Sequence, residues 1–296
     1  MRISTSLLYQ RGVDAIELQQ KKLSDTEIQL ATGERLDSPA DDPFASTRII
    51  ALDEEEKLLD QYNRNADYAL ARLNQEEIAL TSAINALQRL RELAVQTANG
   101  IYGADDRRAI SEEAFQIRDG LLQNANTADE SGNYIFAGDK VGSPAFDNNF
   151  VYQGDQGERF IQIGKSRQVQ TGDSGYAVWE NVPNTIGGGN VMEIADSYAT
   201  ELSVNGLQDP NAIDDIDAAL NHLITIRSRI GGRVNAIQSE QSSNDSFSLS
   251  IQENKSALAD LDYAEAISRF QQQLAGLQAA QQSFVQIQGL SLFNYI

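Results

Sequence analysis

The stretch that most constrains this chain runs from Leu52 to Thr97. Steps of three and four residues in alternation give Leu52, Glu55, Leu59, Tyr62, Ala66, Ala69, Leu73, Glu76, Leu80, Ala83, Leu87, Leu90, Ala94 and Thr97. All but Glu55, Glu76 and Thr97 are apolar. A strand, whose side chains alternate with period two, cannot produce this heptad-like seam. A single helix from Ser46 to Asn99 would span about 80 Å at ~1.5 Å per residue. Such an element is a rod, and its stripe must be buried against something.

Asn99-Gly100 and Gly103 supply a helix stop, since both residue types tolerate a left-handed C-terminal cap. Helical periodicity resumes from Ala104 to about Ala128. There Asp105 and Asp106 complement the dipole of a first turn, and Ile110, Ala114, Ile117 and Leu121 form one face. A second, antiparallel helix is the economical reading. Asp209-Pro210 predicts an N-cap with proline in the first turn. Ile213, Ile216, Leu220, Leu223, Ile230, Val234 and Ile237 then follow the three-four alternation. The seam weakens from Gln241 to Ser248 and revives through Ile251, Leu258 and Leu261 to Phe270, Leu274, Leu277 and Phe284. Gly231-Gly232 inside this run costs roughly 1 kcal/mol per glycine relative to alanine, so it is either a tolerated weak point or a place of close helix packing.

From Gly132 the character changes. NYIFAG, NFVYQG, ERFIQIG, RQVQTG and YAVWEN are short runs rich in aromatic and β-branched residues, each bounded by Gly, Asp or Asn, and they predict a small antiparallel β domain. NVPNTIGGGN reads as a loop or linker, and Met192 to Gly206 gives no clear assignment. The fold class that emerges is mainly α: a long antiparallel, coiled-coil-like helical rod formed by both chain ends, with a small β-rich domain inserted in the middle. Seams on both flanks bury each other only if the chain folds back.

With 43 acidic and 23 basic residues the formal charge is -20, which argues against nucleic acid or anionic membranes as partners, both being polyanions. Cysteine is absent, which excludes disulfides, thiolate metal sites and a cysteine nucleophile. MRISTSLLYQRG is too weakly apolar for a secretory signal, and no stretch approaches the ~20 apolar residues of a membrane span. The expectation is a cytosolic chain, or one that leaves by a route needing no cleaved signal.

Few residues offer chemistry. Asp41-Asp42, in GERLDSPADDPFASTRI, are sequence neighbours that point in different directions. They make a poor acid/base pair and good capping and turn residues. His222, the only histidine, reads as a solvated or rim residue with no metal-ligand spacing around it. IGGGN lacks the lysine of a phosphate loop. Asp139, Asp147, Asp155 and Glu158 read as turn residues rather than a calcium site. An enzyme housed in the β domain would have no plausible nucleophile, metal cluster or cofactor loop, so no catalytic, cofactor or metal residue is assigned. The termini are more informative. RFQQQLAGLQAAQQSFVQIQGLSLFNYI carries few charges and an apolar stripe that a two-helix pair has too little interior to bury, which favours packing against other subunits.

GERLDSPADDPFAS after an N-terminal helix, SGNYIFAGDK followed by FVYQGDQGERFIQIG, and LADLDYAEAISRFQQQLAGLQAAQQSFVQIQGLSLF together resemble the flagellin superfamily. GNYIFAG and YQGD with a small insertion are more similar to its hook-filament junction branch than to plain filament flagellin, and a minor flagellin is the alternative. The resemblance implies a structural, non-enzymatic subunit of the extracellular flagellum without a cofactor. Residues 1–37 and 262–296 would be terminal coiled-coil assembly segments, 38–131 and 209–261 a helical rod domain, and 132–208 an outer β-rich domain with its linker. The assembly interface would comprise Ile3, Leu7, Leu8, Ile16, Leu23, Leu30, Phe270, Leu274, Leu277, Phe284, Leu290, Leu292, Phe293 and Ile296. Pro39, Asp41, Asp42 and Pro43 would form the inter-layer joint, the prolines ending one helix and the aspartates starting the next. Implied partners are hook-associated protein 1, flagellin, copies of the chain itself in a ring, and a cytoplasmic export chaperone before secretion through the flagellar channel.

Overall fold

The structure is a computed structural model that describes residues 5–99, 102–183, 189–204 and 209–289. Seven helices and one two-stranded sheet occur among them: α1 (Thr5–Thr32), α2 (Pro43–Ala98), α3 (Ala104–Ala125), β1 (Phe160–Gly164), β2 (Arg167–Gln170), α4 (Gly175–Trp179), α5 (Val191–Val204), α6 (Ala212–Ala259) and α7 (Tyr263–Gly289). The fold is thus mainly helical at both chain ends, with a small antiparallel sheet between them. None of the described helices is long and apolar enough to cross a membrane. The chain divides into two compact units, Met1–Leu58 with Ser246–Ile296 and Leu59–Asp245.

The seam lies where its spacing places it. Every position on the walk from Leu52 to Thr97 is buried except Glu55 and Leu59. In the middle unit α2 and α6 run antiparallel. Asn63 Nδ2 donates to Asp245 at 3.0 Å, Gln241 Nε2 donates to Asp67 at 2.8 Å, and Arg91 pairs with Asp217 at 2.5 Å. Leu73, Leu80, Leu87 and Leu90 meet Ile216, Leu223, Ile226 and Ile230 in one continuous core with α3, α5 and the inserted segment. Where the α6 seam weakens, Asn244 takes the inward position. Buried, it donates to Asn63 Oδ1 at 3.1 Å and the Ile163 carbonyl at 3.0 Å, which explains how a polar residue is tolerated there.

Several local readings change. Pro210 lies ahead of α6 rather than in its first turn. Asp209 Oδ1 accepts the Asn211 N–H at 2.8 Å and its carbonyl accepts Ala212 N–H at 3.1 Å, so an aspartate turn precedes the helix. Gly231 and Gly232 do not serve close helix packing against the described residues, because a Cβ at either would meet none of their atoms within 4 Å. Of the five aromatic-rich runs, only ERFIQIG and RQVQTG become strands, paired from Phe160↔Gln170 to Gly164↔Arg167. The two runs before them make isolated bridges, Ala128↔Tyr134 and Phe146↔Tyr152, because Gly132, Gly138 and Phe150 adopt positive φ and turn the chain. YAVWEN is mostly the helix α4: Ser174 caps it by accepting the Ala177 N–H, and Gly175 N–H donates to the Phe136 carbonyl at 2.7 Å. Residues 191–204 form α5, whose Val191, Ile194, Ala195, Tyr198 and Leu202 pack onto α3.

Candidate assembly surface

Helices α1 and α7 pack against each other antiparallel within the terminal unit: Gly12 adjoins Phe284, Gln19 adjoins Gly276, and Gly33 adjoins Tyr263. Tyr9 meets Phe284 edge-on, with ring centroids 5.8 Å apart. Gly12 is required by this approach, since a Cβ there would lie 2.7 Å from Phe284 Cδ2.

The pair leaves its apolar side chains incompletely covered. Ile16, Leu23, Leu30, Phe270, Leu277 and Phe284 are half-buried, while Leu7 and Leu274 are exposed at 44% and 39%. Among the side chains described on the two helices, only Thr26 and Ala266 are buried. Ile3, Leu290, Leu292, Phe293 and Ile296 lie outside the described residues, and nothing is described of the Leu8 side chain. A second set, missed by the three-four walk, faces outward: Leu18 and Ile28 on α1, Ile267 and Val285 on α7. Ile267, Leu274 and Val285 are spaced by seven and eleven, two and three turns, so they share one face. An eleven-residue step likewise joins Leu7 to Leu18, and that spacing was the available signal. Two polar atoms on α7, Arg269 Nε and Gln273 Oε1, are buried without a hydrogen-bond partner among the described residues.

At the joint, α1 ends at Thr32 because Gly33 turns left-handed at φ 77°; Pro39 lies seven residues further on and does not end the helix. Asp42 Oδ1 accepts the Ala45 N–H at 3.0 Å and caps α2, with Pro43 as its first residue. Asp41 points elsewhere, its Oδ2 closing a turn on the N–H groups of Ser38 at 2.8 Å and Asp37 at 3.2 Å. The two carboxylates therefore share no site. Arg35 ties the joint together. Its N–H donates to the Ala259 carbonyl at 2.7 Å, its Nη2 donates to the Leu258 carbonyl at 3.0 Å, and the same nitrogen pairs with Asp42 at 3.2 Å. The Ala45 N–H bond first, and Arg35 second, hold the Asp42 carboxyl below its ordinary range. A bridge between Glu34 and Asp260 completes the crossing.

Of the other acidic candidates, the three aspartates are spent locally. Asp147 Oδ1 accepts the N–H groups of Asn149 and Val151, Asp155 Oδ1 accepts those of Asp139 and Gly157, and Asp139 pairs with Arg159 at 2.7 Å. His222 is half-buried on α6, with Nε2 3.2 Å from the Ala177 carbonyl, and burial lowers its pKa. Among the described residues, no three His, Cys, Asp or Glu side chains gather into a potential metal site.

The chain is thus mainly helical, and its paired end helices α1 and α7 leave apolar side chains exposed. Family models place it: that of the bacterial flagellin N-terminal helical region matches residues 3–141, and that of the C-terminal helical region matches residues 213–296. The chain belongs to the flagellin family. It is similar to flagellar hook-associated protein 3 of Escherichia coli K12, 28% identical over 99% of both chains. It is also similar to flagellin of Listeria monocytogenes, 22% identical over 90% of this chain and 89% of that one. Its fold matches the crystal structure of the flagellar junction protein of Legionella pneumophila, with a TM-score of 0.63 and 17% identity, covering 72% of this chain and 100% of that one.

Proposed function

We propose that this chain is a structural adaptor subunit of the bacterial flagellum that joins the hook to the flagellin filament. The observation that carries this reading is the end-to-end likeness to hook-associated protein 3, which extends through the inserted segment as well as the shared flagellin ends. The role needs surfaces for neighbours and no reaction, so the protein acts as a non-enzymatic building block. Residues 1–37 and 262–296 are its assembling layer, 38–131 and 209–261 its helical layer, and 132–208 its outward part. The half-covered side chains of α1 and α7, with Leu290, Leu292, Phe293 and Ile296 beyond them, are the surface that neighbours bury. Burying each large apolar side chain contributes roughly 1.5 to 3 kcal/mol, which offsets the ordering entropy of the terminal helices. The neighbours are copies of the chain in a ring, hook-associated protein 1 on the hook side and flagellin on the other. A cytoplasmic chaperone covers the C-terminal stripe before export through the flagellar channel, without a cleaved signal.

Deleting the gene tests the proposal. Filaments should be shed into the medium and swimming lost, with both restored by the full chain and neither by a chain lacking residues 290–296. Attached filaments in the deletion strain, or full swimming with the shortened chain, would overturn it.

A further inference from the structure

One buried polar cluster lies within the middle unit. Glu76 occupies a seam position on α2 between Leu73 and Leu80 and is only 2% exposed. Its Oε1 accepts the Asp173 N–H at 3.0 Å from the loop 171–174, which joins β2 to α4. Asp173 pairs in turn with Arg233 of α6. Three buried polar atoms of this cluster have no hydrogen-bond partner among the described residues: Glu76 Oε2, Arg233 Nε and Arg233 Nη1. A second cation that acts on Glu76 is Arg72 of α2, engaged 3.8 Å from Asp129, the carboxylate that follows α3. Behind the loop, α4 carries Trp179, fully buried and edge-on to Phe136 with centroids 5.6 Å apart.

We propose that Glu76, Asp173 and Arg233 form a proton-controlled latch: while Glu76 is neutral the loop 171–174 stays seated on α2 and α6, and loss of its proton lifts the loop and α4 away. Charge count and burial give the direction. With Glu76 neutral, Asp173 has Arg233 to itself and the cluster is balanced. An ionised Glu76 puts a second carboxylate beside Asp173 in a site poor in water, where Arg233 already pairs with Asp173 and Arg72 with Asp129. Glu76 is fixed by the seam around it, so the loop is the part that yields. Burial, and secondarily the Asp173 charge, push the Glu76 carboxyl up to about 8, so the latch is closed at neutral pH and opens above it. His222, whose pKa is lowered by burial, titrates on the acid side and is separable.

Trp179 is the only tryptophan and reports the latch directly. In the full-length protein, acrylamide quenching of Trp179 should rise several-fold with a midpoint near 8, while the helical circular dichroism signal holds. Glu76→Gln, which mimics the neutral acid, should quench weakly throughout. Asp173→Asn removes the repelling carboxylate and leaves Arg233 to Glu76, so its midpoint should fall to lower pH. The latch is overturned by flat quenching in the unmodified protein, by the same transition in Glu76→Gln, by an unmoved midpoint in Asp173→Asn, or by helix loss that tracks the tryptophan signal.

Discussion

Leu73, Leu80 and Leu87 on α2 and Leu23, Leu30, Leu274 and Leu277 on the terminal helices follow the same three-four spacing, yet the first set is fully buried and the second is not. Periodicity sets which face of a helix is apolar; it does not set what covers that face. In the middle unit α3, α5, α6 and the inserted segment close over the seam from several sides. In the terminal unit α1 and α7 have each other, and each helix keeps outward apolar residues such as Leu18 and Val285. One region covers its seam within the folded unit; under the proposed function, neighbours would cover the other.

The comparison is broken most directly by truncating leucines. Leu80→Ala or Leu87→Ala should each cost roughly 2 to 5 kcal/mol in urea denaturation, the range for a buried leucine whose cavity relaxes poorly. Leu23→Ala or Leu274→Ala should cost under about 1 kcal/mol in the monomer, because those side chains already touch water. In assembled material the terminal variants should become the severe ones. Equal costs for both sets in a verified monomer would erase the distinction.

Much of this was legible in the sequence, for identifiable reasons. The seam was readable because twelve buried positions recur at helical spacing over many turns, and the C-terminal stripe because it is long and little charged. The aspartates at 41 and 42 were readable as cap and turn because those tasks depend on neighbours in sequence. YAVWEN was misread because its aromatic composition suits a strand, while Ser174 and the Phe136 carbonyl, contacts set locally and by the tertiary fold, make it a helix. The α5 pattern, with apolar residues at 191, 192, 194, 195, 198, 199 and 202, was present but short and bounded by glycine-rich stretches. The Glu76 cluster was not legible at all, since Asp173 and Arg233 meet it only through tertiary contacts.

A second test sharpens the comparison through pH. Glu76 ionises with its ordinary pKa near 4.5 in the unfolded chain and near 8 in the folded one. Between those values the unfolded state sheds a proton that the folded state keeps, so folding stability falls as pH rises from about 4.5 and the loss is complete above about 8. At ~1.4 kcal/mol per pKa unit the loss should amount to roughly 5 kcal/mol. Glu76→Gln should remove this slope from the middle unit. A slope that persists in the variant would assign the pH dependence to other groups.

Gly33→Ala probes the terminal unit on a smaller scale. At φ 77° an alanine is strained, and its Cβ would lie 2.8 Å from Tyr263 Oη. A cost of about 1 to 2 kcal/mol is expected from the left-handed backbone alone. Tyr263 is half exposed and can swing aside, so Tyr263→Phe should not rescue the variant. Full rescue would place the penalty in the side-chain clash instead of the backbone.

The smallest expected effect is a gain. Gly231 and Gly232 sit inside the continuous helix α6, and alanine at either would meet open space. No described residue opposes the helix propensity of alanine there, so each substitution should stabilise the monomer by about 0.5 to 1 kcal/mol, read as a higher urea midpoint at unchanged slope. The middle unit buries its seam by itself, so the gain should survive in every monomer preparation. If the glycines instead admit the close approach of a neighbouring subunit, the same variants will fold better and assemble worse. Equal or improved assembly would leave the pair as a weak point that the strong seam on either side tolerates, and outward packing would then be confined to the terminal unit.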